Sequence, residues 1–230
     1  MSLLRACRVA AFLAATLAAA ACSRTSQETL RTSPPPVPGS DGLLSAVDQA
    51  RADSARYPYT TADIRFMSGM IGHHAQAIVM AGWAPSHGAS PSVRTLCQRI
   101  INAQQDEIVT MQQWLRDRRQ PVPEADTTAM AMTMPGGAHE MLMPGMLTDA
   151  QMRQLDQARG PGFDRLFLTF MIQHHRGAVS MVRQLFGSYG AAQDEIVFKL
   201  ASDINVDQTT EIARMERMLA ALALGISSPG

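Results

Sequence analysis

The chain has 230 residues, 20 Lys and Arg against 20 Asp and Glu, only 5% aromatic residues and 16 methionines. That length fits one mid-sized domain with tails. The neutral balance, with no basic run interleaved with aromatics, gives a nucleic-acid partner no electrostatic support, and no phosphate loop, dinucleotide fingerprint or nucleophile–base pair marks the chain as an enzyme.

Residues 1–21 read as a signal peptide. Arg5 and Arg8 precede an apolar, Ala-rich stretch from Val9 to Ala21 that is too short for a comfortable membrane span. The small residues Ala19, Ala20 and Ala21 lead into Cys22, an arrangement that resembles a bacterial lipoprotein cleavage box, with Ala19 where Leu is usual. The expectation is an exported protein, periplasmic or in the outer envelope, attached to the membrane only through lipid on Cys22; the alternative is an ordinary signal peptide cut at the Ala-rich site. Residues 22–59 form a polar tether with Pro34, Pro35, Pro36 and Pro38, within which Leu43 to Ala55 can form a short helix.

Beyond the tether, one unit is written twice. Asp63, Phe66, Met70, Ile71, His73, His74, Ala77 and Met80 recur as Asp164, Phe167, Met171, Ile172, His174, His175, Ala178 and Met181 at a constant offset; Gln104, Glu107, Ile108 and Met111 recur as Gln208, Glu211, Ile212 and Met215 at a slightly larger one. Two segments recurring in the same order mean duplication. Residues 60–119 form the first helical hairpin. Thr60-x-x-Asp63 is a capping-type start, Trp83-Ala84-Pro85 ends the first helix near Ala84, and Ser90-Pro91 caps a second helix that runs to about Arg118. Residues 120–162 form a Met-rich linker that Pro121, Pro123, Pro135, Pro144 and several glycines keep from being one helix; Thr148-x-x-Gln151 predicts a short helix over Asp149–Ala158. Residues 163–224 repeat the hairpin, with helices predicted over Phe163–Phe186 and Ala191–Leu224. Two antiparallel hairpins bury their apolar faces most simply as an all-α four-helix bundle.

Helical spacing puts His73 and His74 on either side of one stripe, with Met80 beside His73 and Met67 beside His74. The second copy places His174, His175, Met171 and Met181 alike, except that Leu168 stands at the counterpart of Met67. Glu107 and Met111, like Glu211 and Met215, share a face of the partner helix. Imidazole suits copper, zinc, iron and nickel, and thioether favours Cu(I), so His beside Met points to copper first, with another transition metal possible. The spacing predicts one site per half: Met70, His73, His74, Met80, Glu107 and Met111 in the first, and Met171, His174, His175, Met181, Glu211 and Met215 in the second. Glu107 and Glu211 can equally be partners of buried histidines in a purely structural pair. Affinity is expected to weaken, without vanishing, as pH falls through roughly 6.5, because imidazole must lose its proton to bind whereas thioether need not. In the linker, Met130, Met132 and Met134, followed by His139, Met141, Met143 and Met146, form a thioether string able to wrap Cu(I) or act as a flap over the bundle end.

The paired Met70-Ile-x-His73-His74-x-x-Ala77 motif, together with Met143-Pro-Gly-Met146-Leu-Thr leading into Phe163-Asp164-x-x-Phe167, resembles the family called domain of unknown function 305, across about Thr60 to Leu224. The resemblance implies a ferritin-like fold and copper handling, since that family includes a periplasmic copper-binding protein linked to copper resistance. Two rival functions stand beside copper homeostasis. A carboxylate-bridged di-iron enzyme would need Glu-x-x-His pairs, which the sequence lacks. A metal-free interaction module of the envelope, with structural His–Glu pairs, is the runner-up. Oligomeric state is not legible.

Overall fold

The computed structural model describes residues 59–125 and 142–225, and these form five helices and no strand. Helix α1 spans Thr61–Gly82, α2 Pro91–Asp117, α3 Asp149–Gln157, α4 Pro161–Phe186 and α5 Glu195–Ala223. The expected signal peptide, residues 22–58 with the expected short helix, and residues 126–141 of the linker lie outside the described residues.

The local signals act as read. The Thr60 side chain accepts from the Asp63 N–H while the Asp63 carboxylate accepts from the Thr60 N–H at 2.6 Å, a closed capping box. Ser90 with Pro91 starts α2, and Thr148 with Gln151 starts α3. Two helix starts shift. Helix α4 begins at Pro161, two residues before the expected start, because Gly160 at φ 53° turns the chain into it. Helix α5 begins at Glu195 rather than Ala191. Ala192 sits at φ 55°, and Asp194 caps the helix by accepting from the N–H groups of Ile196 and Val197. Asp194 also accepts from the Trp114 indole and pairs with Arg118, long-range contacts that hold this helix start in place.

Each hairpin packs its own helices together, α1 on α2 and α4 on α5, and α1 meets α4 in the middle of the bundle. The duplicated aspartates join the halves. Asp63, fully buried, accepts from the Ala192 N–H at 2.7 Å, in the turn of the second hairpin. Its counterpart Asp164 accepts from the Ser90 N–H at 3.2 Å, in the turn of the first. Each such charge-assisted bond contributes about 1.5–3 kcal/mol and prevents an unpaired buried carboxylate.

The core is two apolar clusters. One gathers Phe66, Met70 and Ile71 of α1 with Ala178, Met181 and Val182 of α4; the other gathers Ala77 and Met80 of α1 with Phe167, Leu168 and Met171 of α4. Helices α1 and α4 therefore run antiparallel, and on each of them the His-His pair falls between the two clusters. Helix α3 packs on α4, with His87 tying it to the first hairpin turn: its Nε2 lies 2.8 Å from the Asp156 carbonyl oxygen.

Candidate metal centre

The histidine layer sits where α1 crosses α4. His73, His74, His174 and His175 are each at most 1% exposed. The rings of His73 and His174 lie 3.8 Å apart, centroid to centroid, across the interface between the two halves. The spacing argument placed one pair in each half; the fold brings both pairs into one central layer, because α1 and α4 are the helices that share the bundle axis.

Their Nε2 atoms are mostly held. His73 Nε2 donates to the Pro144 carbonyl at 3.0 Å. His175 Nε2 donates to Glu211 Oε2 at 2.6 Å. His74 Nε2 lies 2.8 Å from Glu107 Oε2 but off the hydrogen-bond axis, a close contact rather than an aligned bond. Nδ1 of all four histidines is buried without a hydrogen-bond partner, as is Nε2 of His174. A ring whose Nε2–H is fixed by a carboxylate or a backbone carbonyl presents the Nδ1 lone pair, which is how proteins orient imidazole towards a metal. Glu211 thus sits behind His175 and fixes its tautomer, as the Pro144 carbonyl does for His73.

Burial, with His74 next in weight, lowers the His73 pKa to about 3, and burial followed by His73 and His175 holds His174 well below the ordinary value. Both rings are neutral at any physiological pH. Proton competition at these two donors therefore starts well below the 6.5 that the sequence alone implies.

The methionines assemble across the halves. Met70 and Met111 of the first hairpin share a cluster with Met181 of the second, and Met80 of the first shares one with Met171 and Met215 of the second. The half-by-half grouping is corrected on this point: antiparallel packing exchanges Met80 and Met181 between the two ends. Met143 and Met146 of the linker are buried in the first cluster. His139, Met141, Met130, Met132, Met134 and Cys22 lie outside the described residues.

Residues 142–148 form a strap laid over α1 and α4. Besides the His73–Pro144 bond, Gln76 exchanges two hydrogen bonds with Leu147, at 3.0 and 2.8 Å, and Gln173 donates to the Gly145 carbonyl at 3.3 Å. The strap lies so close to α4 that a Cβ on Gly177 would stand 1.9 Å from the Pro144 oxygen. A Cβ on Gly69 would meet the Met143 sulfur at 3.1 Å and the Met181 methyl at 3.5 Å. The helical-wheel reading missed the strap's role. Its signal was the pair of places where the copies disagree, Gly69 against Phe170 and Gln76 against Gly177: one strap cannot contact both halves alike.

Among the described residues, no three His, Cys, Asp or Glu side chains form a ready-made metal cage. Orphaned imidazole nitrogens beside buried thioethers nevertheless make a donor set that fits a soft cation of low coordination number and not a carboxylate-rich di-iron centre.

Duplicated hairpins packed around a buried histidine layer and closed by a Met-Pro-Gly-Met strap define the class. The chain belongs to the family Domain of unknown function (DUF305), whose profile matches residues 63–219. A solved structure of a candidate secreted DUF305 protein from Streptomyces coelicolor is similar at TM-score 0.60 and 28% identity, covering 74% of this chain and 97% of that one. The copper-binding protein CopM in its Cu(II)-bound form is similar at TM-score 0.53 and 29% identity, covering 69% and 95%; its Cu(I)-bound form is similar at TM-score 0.51 and 28% identity, covering 68% and 94%. An uncharacterized protein of Acanthamoeba polyphaga mimivirus is 37% identical over 57 residues, which is 25% of this chain and 38% of that protein's length.

Proposed function

We propose that this chain is an exported, lipid-anchored copper-binding protein, not an enzyme, that takes Cu(I) at the central histidine layer with thioethers from the flanking clusters and serves copper homeostasis or tolerance. The observation that carries the reading is the set of four buried histidines whose Nδ1 atoms lack partners, two of them with Nε2 already hydrogen-bonded and a third with Nε2 in contact with Glu107. A structural His–Glu pair would leave no role for the buried, unpartnered Nδ1 atoms of His73, His74 and His175, at a cost of about 1–3 kcal/mol for each unmet polar group. Cu(I) is satisfied by two or three soft or borderline donors, so a pair of imidazoles and a thioether suffice without the four-ligand cage of structural zinc. Similarity to CopM in its copper-bound forms supports the same reading. The linker methionines and His139 are read as a looser capture strand.

The test is a Cu(I) titration of the full chain against a competing chelator, repeated on the quadruple variant His73→Ala, His74→Ala, His174→Ala and His175→Ala after circular dichroism shows it folded. Loss of the tight sites supports the proposal. Unchanged stoichiometry and affinity would make the bundle histidines structural and leave metal binding to the linker.

A further inference from the structure

Helices α2 and α5, the outer member of each hairpin, leave a groove of about 630 Å³ between them, lined by Asp106, Glu107, Asp203 and Asp207 among others. It continues into a smaller recess of about 150 Å³ that shares Ala103, Glu107 and Asp207 with it and adds Gln104, Gln208 and Glu211. Carboxylates outnumber the cations on these walls. Lys199 is tied to Asp203, which leaves Arg99 to face the rest. In a chain of zero net charge, this is a local concentration of negative potential.

A second observation is independent of that charge. Gln104 and Gln208 line the recess at 2% and 3% exposure. Both amide atoms of Gln104, and the amide oxygen of Gln208, have no hydrogen-bond partner. Two duplicated, buried amides left unpaired at the same recess are costly unless something polar meets them there. The wall of the recess also carries Glu107 and Glu211, the carboxylates that contact His74 and His175. The recess therefore reaches the histidine layer through these two glutamates.

We propose that the α2–α5 groove is a vestibule that binds a hydrated divalent cation through the carboxylates of Glu107, Asp207 and Glu211 and the amide oxygens of Gln104 and Gln208, and that its negative potential also draws Cu(I), with no change of oxidation state, towards the histidine layer behind it. The feeding role rests on the copper reading above; the cation site does not. No three of the acidic side chains are placed to cage a bare ion, so the ion keeps part of its water, as oxygen-ligated cations commonly do.

Two measurements separate this site from the histidine layer. Mn(II), a paramagnetic cation that prefers oxygen donors, is added to the full chain and to the quadruple His→Ala variant while side-chain amide resonances are recorded. Gln104 and Gln208 should broaden first in both proteins, ahead of the exposed Gln98, and Asp106→Asn with Asp207→Asn should remove that preference. Equal broadening of Gln98, or no broadening of Gln104 and Gln208, overturns the site. The second measurement is the rate of Cu(I) uptake by stopped flow. The same double Asn variant should bind several-fold more slowly at low salt and at the wild-type rate near 0.5 M salt, with the equilibrium affinity unchanged. An uptake rate that is unaltered at low salt overturns the vestibule role. A wild-type chain that takes Mn(II) at the groove but no copper would instead refute the copper reading alone.

Discussion

Gly177→Ala should lift the strap. A Cβ at this position would stand 1.9 Å from the Pro144 oxygen, 2.4 Å from the Pro144 carbonyl carbon and 2.6 Å from the Gly145 Cα. All three are backbone atoms, so no side-chain rotation relieves the clash. The strap is held by four hydrogen bonds, one to His73, two to Gln76 and one to Gln173. At about 0.5–1.5 kcal/mol net each, losing them costs a few kcal/mol. Exposing Met143, Met146 and Leu147 adds about 1.5–3 kcal/mol for each side chain that leaves the core. Alanine in a helix returns only about 1 kcal/mol relative to glycine. Partial relaxation of the strap brings the expected net loss to about 2–5 kcal/mol. Gly82→Ala is the internal control, since nothing lies within 4 Å of a Cβ there; it should be neutral or slightly stabilising. Urea unfolding followed by circular dichroism measures both, and limited proteolysis reports whether the strap itself opens. A Gly177→Ala protein as stable as the wild type, with an uncut strap, would refute the reasoning.

Acid should destabilise the copper-free bundle. The lowered His73 and His174 pKa values mean that the unfolded chain binds more protons than the folded one below about 6.5, so stability is fully present above that value and falls as pH drops, for His73 by about 1.4 kcal/mol per pH unit towards 3. Urea midpoints at pH 7.5, 6 and 5 should show the slope, and His73→Gln with His174→Gln should flatten it; a wild-type curve already flat across that range contradicts the burial argument. Cys97, buried with its thiol pushed up to about 12, should resist iodoacetamide at pH 7.5 in the folded chain and react once urea unfolds it; rapid labelling of the native protein would count against its burial. Cys22→Ala should release the protein from membranes and abolish labelling by a fatty-acid probe, whereas unchanged fractionation would point to the ordinary signal peptide.

The helices were legible because their ends carry short-range chemistry. Thr60 with Asp63, Ser90 with Pro91 and Thr148 with Gln151 each declare a start within four residues, and the structure uses all three. The start of α5 falls later than Ala191 because Ala192 turns at φ 55° and Asp194, tied to Trp114 and Arg118 about eighty residues earlier in the chain, takes the cap. The repeat revealed which residues share a face but not which faces meet. A wheel drawn on α1 puts Met80 beside His73 yet cannot show that Met80 packs with Met171 and Met215. The Pro144 carbonyl that holds His73 was invisible for a simpler reason: a backbone acceptor carries no residue-type signature.

The account stands on imidazole from the bundle entering the copper shell. X-ray absorption at the copper edge of the Cu(I)-loaded full chain tests this most directly. The account predicts nitrogen scattering with the outer-shell pattern of imidazole together with a sulfur shell, and loss of the imidazole pattern in the quadruple His→Ala variant. A shell of sulfur alone in the wild-type protein, unchanged in the variant, would contradict it.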